Sequence, residues 1–338
     1  MYNKLITNIK PLGFTWQTKD PFLFCVHHLD HYPKGNEHLG PAASLAGRNL
    51  GQDFTTKDGW RMYHGETIPG FPAHPHRGFE TVTVVLEGFV DHSDSHGASG
   101  RYGNGDVQWM TAGAGLQHAE MFPLLDQENP NPLELFQIWL NLPRERKFAK
   151  PHYTMLWAED IPVYSETDKK GETTRVTVIA GTLGDVTAPR PAPDSWAADP
   201  DNKVGIWLIE MQPAAQWTIP PASPEVSRSL YVYRGSQIHV AGIPVQPYHS
   251  VELLAEQPVI VENSQEPAFL LLLQGKPLNE PVVQHGPFVM NTPEEVQQAF
   301  YDYRRTQFGG WHWSRYDNVH GPHPGRFAKY ADGREELK

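Results

Sequence analysis

The chain has 338 residues, a net charge of −11, and an apolar fraction of 39% with 11% aromatic residues. That length accommodates two domains of about 150 residues each, and the composition is that of an ordinary soluble globular protein, not a disordered one. The negative balance argues against broad attraction to phosphate backbones, so no direct nucleic-acid partner is expected. No apolar run approaches the roughly 18 residues of a membrane span, so no membrane association is expected. The N-terminus lacks the apolar core of a secretory leader, and the lone Cys25 allows no intramolecular disulfide; a cytoplasmic location is the expectation.

In chain order, short runs of β-branched and aromatic residues recur at 81–90, 107–111, 135–142, 175–180, 204–211, 229–233, 238–240, 258–262 and 267–273. Turn residues such as Gly103-Asn104-Gly105, Gly181 and Gly235 punctuate them. With 29 glycines and 31 prolines, this spacing predicts an all-β sandwich or barrel architecture with few long helices. Only near the end does a helix signature appear. Thr292-Pro293-Glu294-Glu295 is a capping box with proline at the first helical position, followed by Val296, Phe300 and Tyr303, which predicts a helix over about 293–306. Gly309-Gly310 ends it, and the aromatic tail beyond is expected to dock on a barrel.

Two short strings carry the chemistry. His74-Pro75-His76 and His118-Ala119-Glu120 each place metal-capable groups at i and i+2, which in a strand point to one face. Three imidazoles and a carboxylate, brought together by neighbouring strands, would hold one ion with open coordination positions, as suits a redox or Lewis-acid metal. Pro75 places the first dyad at a strand start or sheet edge, and Gly113 and Gly115 suit a tight turn before His118. Arg77 and Glu80 flank the first dyad as groups that orient ligands or substrate, with an exposed salt bridge an equal reading. Adjacent His27 and His28 point to opposite faces and read as packed or surface residues. The alternating Asp91, His92, Asp94 and His96 read as a solvated strand face.

The strand–turn–strand pattern occurs twice, as VVLEGFV at 84–90 and YVYRGSQ at 231–237. Aligning Gly88 with Gly235 puts Pro221 opposite His74, Ser223 opposite His76 and Ser227 opposite Glu80, so the second copy lacks the ligands. The charged stretch at 141–147 is the expected boundary, with a proline-rich linker at 187–194. The expected organisation is 1–145 for a metal-binding barrel, 146–290 for a metal-free barrel, and 291–338 for the helix and tail.

At these residues the sequence resembles the pirin family of bicupin proteins. HPHRGFETVT (74–83), GDVQWMTAG (105–113), GLQHAE (115–120), LFQIWLNLP (135–143) and NEPVVQHGPFVMNTPEEVQQAFYDYRRTQFG (279–309) carry the resemblance. It implies two tandem cupin barrels, that is, double-stranded β-helix or jelly-roll barrels, with short helices and a C-terminal helix. It also implies one divalent non-haem metal on His74, His76, His118 and Glu120, with Fe(II) expected first and Mn, Ni, Co, Cu or Zn as alternatives. Some members are quercetin 2,3-dioxygenases, so the implied reaction is O2-dependent ring opening of a flavonol-like enol with CO release, Glu120 accepting the hydroxyl proton. Others are redox-sensitive regulators, so the rival is a non-catalytic, iron-dependent sensor that acts by binding a protein partner. A structural bicupin with a vestigial site is the third reading. The segment 31–69 and the tail after 309 look longer than in compact members, and either could roof the metal pocket.

Overall fold

A computed structural model describes residues 4–322 and 325–338. The described chain is mostly antiparallel β-structure, with one α-helix, Pro293–Thr306, and four short 3-10 turns. Thr292 caps that helix through the Glu295 amide while the Glu295 carboxylate returns to the Thr292 amide, the reciprocal arrangement anticipated from the sequence.

The chain forms two compact units. One comprises 27–158 and 280–338, the other 1–26 and 159–279. Both differ from the continuous ranges expected at 1–145, 146–290 and 291–338, and strand pairing is the reason. Ile6–Pro11 pairs with His249–Leu254 and so extends the sheet of the second-barrel unit. At the other end, Phe327–Lys329 pairs with Ser99–Gly103, which returns the tail to the unit of the histidine strings.

In the histidine-bearing unit, one sheet runs in the order Glu335–Leu337, Phe327–Lys329, Ser99–Gly103, Phe89–Asp94, Leu116–Met121, Gly70–His76. The facing sheet contains His152–Leu156, Val107–Thr111, Phe79–Glu87 and Asn131–Asn141. The run expected at 81–90 is two strands, Phe79–Glu87 and Phe89–Asp94, because Gly88 turns the chain at φ 84°. Tyr102, Val85, Val90, Leu135 and Phe122 belong to an apolar core at one end of this unit. The other unit has a seven-stranded sheet facing a four-stranded one, packed around Trp207, Trp217, Leu230, Val232, Leu270 and Leu272.

Candidate metal centre

Gly70–His76 lies at the edge of its sheet, where the missing N–H groups of Pro72 and Pro75 break no central ladder. It runs antiparallel to Leu116–Met121 with His74 directly opposite His118, after a register shift between Phe71 and His74. Cross-strand pairing plus the two-residue period therefore collects His74, His76 and His118 on one face. Their ring centroids are 4.5–5.0 Å apart, and one nitrogen of each lies within 4.8 Å of the others.

Hydrogen bonding sets the tautomers. Nδ1 of His74 faces the Pro72 carbonyl at 2.9 Å and Nδ1 of His76 faces the Pro287 carbonyl at 3.4 Å. A carbonyl only accepts, so each Nδ1 carries the proton and leaves the Nε2 lone pair for a metal. His118 is fully buried, and neither ring nitrogen has a hydrogen-bond partner. An unsatisfied buried nitrogen costs about 1–3 kcal/mol, and a divalent ion accepting the lone pair would satisfy the one that carries it. The residues present thus fit a metal.

Electrostatics agree. Burial holds His74 down to about 4, although its edge keeps partial exposure, and the Pro72 carbonyl opposes the shift. Burial, reinforced by the neighbouring rings, holds His76 and His118 well below the usual imidazole value. All three are neutral at pH 7, the form that ligates.

Glu120 points to the same side. Its Oε2 is 3.7 Å from His118 Nε2 and accepts from Gln137 Nε2 at 2.7 Å, while Oε1 accepts from the Thr83 hydroxyl at 3.0 Å. Thr83 also faces Gln137 Oε1, so one hydroxyl proton serves two acceptors. Burial raises the Glu120 carboxyl, opposed by His92, Thr83 and Gln137. Beyond it, Tyr102 donates to Gln108 Oε1, Gln108 Nε2 meets His92 Nδ1, and His92 Nε2 faces Asp94 at 3.3 Å.

Residues 15–140 match the Pirin family model, and residues 206–309 match the Pirin C-terminal cupin domain. Human Pirin is 37% identical over 253 residues, 73% of this chain and 80% of that protein. The chain belongs to the pirin family. A Pseudomonas aeruginosa pirin relative named "Putative quercetin 2,3-dioxygenase" is 40% identical over 239 residues, 70% of this chain and 79% of its own. The crystal structure of a quercetin 2,3-dioxygenase from Acinetobacter baumannii superposes with a TM-score of 0.70 at 27% identity, covering 90% of this chain and 98% of that one. Family and fold therefore agree on a pirin with two cupin domains.

Within this pirin, several residues sit where their sequence pattern did not put them. Asp91, His92 and Asp94 are buried, not a solvated face. Their strand is covered on both edges by Ser99–Gly103 and Leu116–Met121, and Asp91 forms a two-pronged pair with Arg101 at 2.6 and 2.7 Å. Arg77 binds the Ala114 carbonyl and Asp302 and lies over the Phe308 ring, joining the strand end to the helix region. Glu80 is buried and accepts from Thr111. His27 pairs with Glu134 and stacks on Phe136, while His28 sits among Tyr63, Phe71 and Phe122, the packed roles expected.

The two long segments make different contacts with the histidine-bearing strands. Trp311 and Val319 of the tail pack on Ala119 and Met121, the residues that alternate with His118 and Glu120, so the tail supports the reverse face of the ligand strand. From segment 31–69, the rings of Phe54 and His64 meet Phe71, which stands 6.3 Å from His74. A separate groove of about 660 Å³, lined by Tyr32, Phe89, Phe122 and Leu133 among others, contains none of the three histidines. Thr83, Gln137 and Gln108 escaped notice in the sequence. Their one signal is a polar residue at an inward position of an apolar strand, as in LFQIWLN.

Proposed function

We propose that this pirin is a metal-dependent dioxygenase that opens the ring of quercetin or a related flavonol-like enol, with O2 as oxidant and CO as a product. The observation that carries the reading is the cluster of three histidines, with both nitrogens of His118 buried and without a hydrogen-bond partner. The names of the Pseudomonas and Acinetobacter relatives support the reaction class. Fe(II) is the metal proposed, with Mn, Ni, Co, Cu or Zn as substitutes, held by His74, His76, His118 and Glu120. When bound, the metal supplies Lewis acidity toward the enol oxygen and a path for electrons to O2.

The chain does the rest. Carbonyls of Pro72 and Pro287 keep Nε2 of His74 and His76 turned inward. Glu120, held at both oxygens by Thr83 and Gln137, accepts the hydroxyl proton of the substrate. Phe71, 6.3 Å from His74, and His64 packed against it are the aromatic rings that would receive a flat substrate. Trp139, edge-on to His76 and stacked on Phe79 at 3.9 Å, keeps water from the other side.

The test is anaerobic reconstitution with Fe(II), then quercetin and O2 with CO detection, in wild type beside His118→Ala. CO from wild type alone is the expected outcome. Protein holding stoichiometric iron that releases no CO overturns the dioxygenase reading and leaves the iron-dependent regulator.

A further inference from the structure

The core of the second-barrel unit is built from apolar side chains, and a buried charge stands at one end of it. Across its seven-stranded sheet, Val251, Leu230, Leu272 and Trp207 form one row of register partners, all in the core. Two residues along, on the same face, the row is Leu253, Arg228, Gln274 and Gly205. Arg228 is thus an inward-facing cation, 2% exposed. Its Nε donates to Gln274 Oε1 at 2.9 Å and one terminal nitrogen donates to the Pro220 carbonyl at 2.9 Å. No carboxylate pairs with it among the described residues, and burial alone holds its pKa down to about 10.

That combination is unusual. A guanidinium has five N–H donors and a charge that a buried site must offset, normally with a carboxylate. Here both partners are neutral. Gly205 opposite Gln274 carries no side chain: a Cβ there would come within 2.9 Å of Gln274 Cγ, so the position leaves Gln274 room to reach the arginine. The location adds to this. With Gly88 aligned to Gly235, Arg228 stands opposite Thr81, next in the inward row to Thr83, which holds Glu120. Pro221 and Ser223, in the loop that supplies the Pro220 carbonyl, stand opposite His74 and His76. The loop's own hydrogen bonds, with the cations Lys203 and Lys276 that lie near it, hold the carboxyl of the exposed Glu225 below its usual range.

We infer that the metal-free barrel of this pirin is a binding site for a small oxyanion, a carboxylate or phosphate, which Arg228 takes through its remaining N–H groups at the end corresponding to the metal centre of the other barrel. A planar fork of donors matches two oxygens of either anion. The inference is independent of the dioxygenase reading.

The test measures thermal unfolding of the full chain against increasing sodium acetate and, separately, inorganic phosphate, with sodium chloride at matched ionic strength as reference. The expected result is a saturable rise of a few degrees with at least one oxyanion, retained in His118→Ala and absent in Arg228→Gln. Acetate alone identifies a carboxylate site and phosphate alone a phosphate site. Should Arg228→Gln fail to fold, wild type with 15N-labelled arginine reports directly: the Arg228 Nε–H resonance must shift saturably with the same half-point. No saturable response beyond chloride, or a response lost in His118→Ala and kept in Arg228→Gln, overturns the inference.

Discussion

His118 meets its neighbours with two buried ring nitrogens that have no hydrogen-bond partner, and an ion taking the lone pair of one of them would offset part of that cost. Glu120 is the opposite case, since both oxygens already have donors. Replacing Gln137 with leucine leaves Glu120 Oε2 without its donor; the expected loss is about 1–3 kcal/mol in metal-free protein and clearly less once a metal is bound, read from urea unfolding with and without metal. The pH dependence follows from the histidines. Their folded values lie below the ordinary imidazole value, so between about 6.5 and the value of about 4 for His74 the unfolded chain binds protons that the native state refuses. Stability of the metal-free protein is therefore lost as pH falls from about 6.5 toward 4, and a melting-temperature profile that is flat over that window contradicts the assignment. His74→Gln should shallow the slope. At this scale the grouping of His74, His76 and His118 was legible because i and i+2 on a strand share a face whatever the rest of the chain does. Thr83 and Gln137 were not, because they meet Glu120 only through the pairing of Phe79–Glu87 with Asn131–Asn141, which puts Gln137 directly across from Thr83.

Edge strands and tight turns carry the elements that hold the site. Gly78, between the histidine strand and Phe79–Glu87, has φ 88°, and a Cβ there would stand 2.0 Å from the Val289 carbonyl oxygen. Gly78→Ala combines left-handed strain with a backbone clash, so a loss of at least about 2 kcal/mol is expected in urea unfolding. The buried Lys147 ammonium bridges the same corner, donating to the carbonyls of Gly78 and Val289 and to Asn141 Oδ1. For the helix, Thr292→Ala removes one half of the capping box and should cost about 1 kcal/mol, measurable by the same denaturation. The helix was legible to its ends because its signals are local: a cap, a proline and an apolar spacing within a dozen residues. The strand Phe89–Asp94 was misread as solvated because alternating Asp and His look identical whether the polar face meets water or a buried arginine, and only the neighbouring strands decide between them.

Across the whole chain, the ligand strand depends on residues far away in sequence. The tail covers Ala119 and Met121 with Trp311 and Val319, its Tyr316 carbonyl accepts the Ala73 amide beside His74, and Trp313 donates to the Asp94 carbonyl. Truncation after Gly310 should therefore lower the melting temperature and weaken metal binding about tenfold or more, the usual scale for losing outer support of a ligand set; unchanged metal affinity by competition with a chelating dye would contradict that role. What the sequence by itself determined is what depends on short-range geometry and on side-chain chemistry: alternating strands, the capped helix, three histidines and a glutamate at strand spacing, and a second copy that lacks those residues. Membership of the pirin family was legible from the same strings, since they combine ligand chemistry with turn glycines at fixed spacing. Only the tertiary structure decided that Ile6–Pro11 joins the second-barrel unit while the tail joins the first, that Glu120 is clamped by Thr83 and Gln137, and that Arg228 is buried without a counter-ion. Each of these is a pairing between residues distant along the chain, and pairing across a sheet is set by register and burial of the whole fold, which no local pattern encodes.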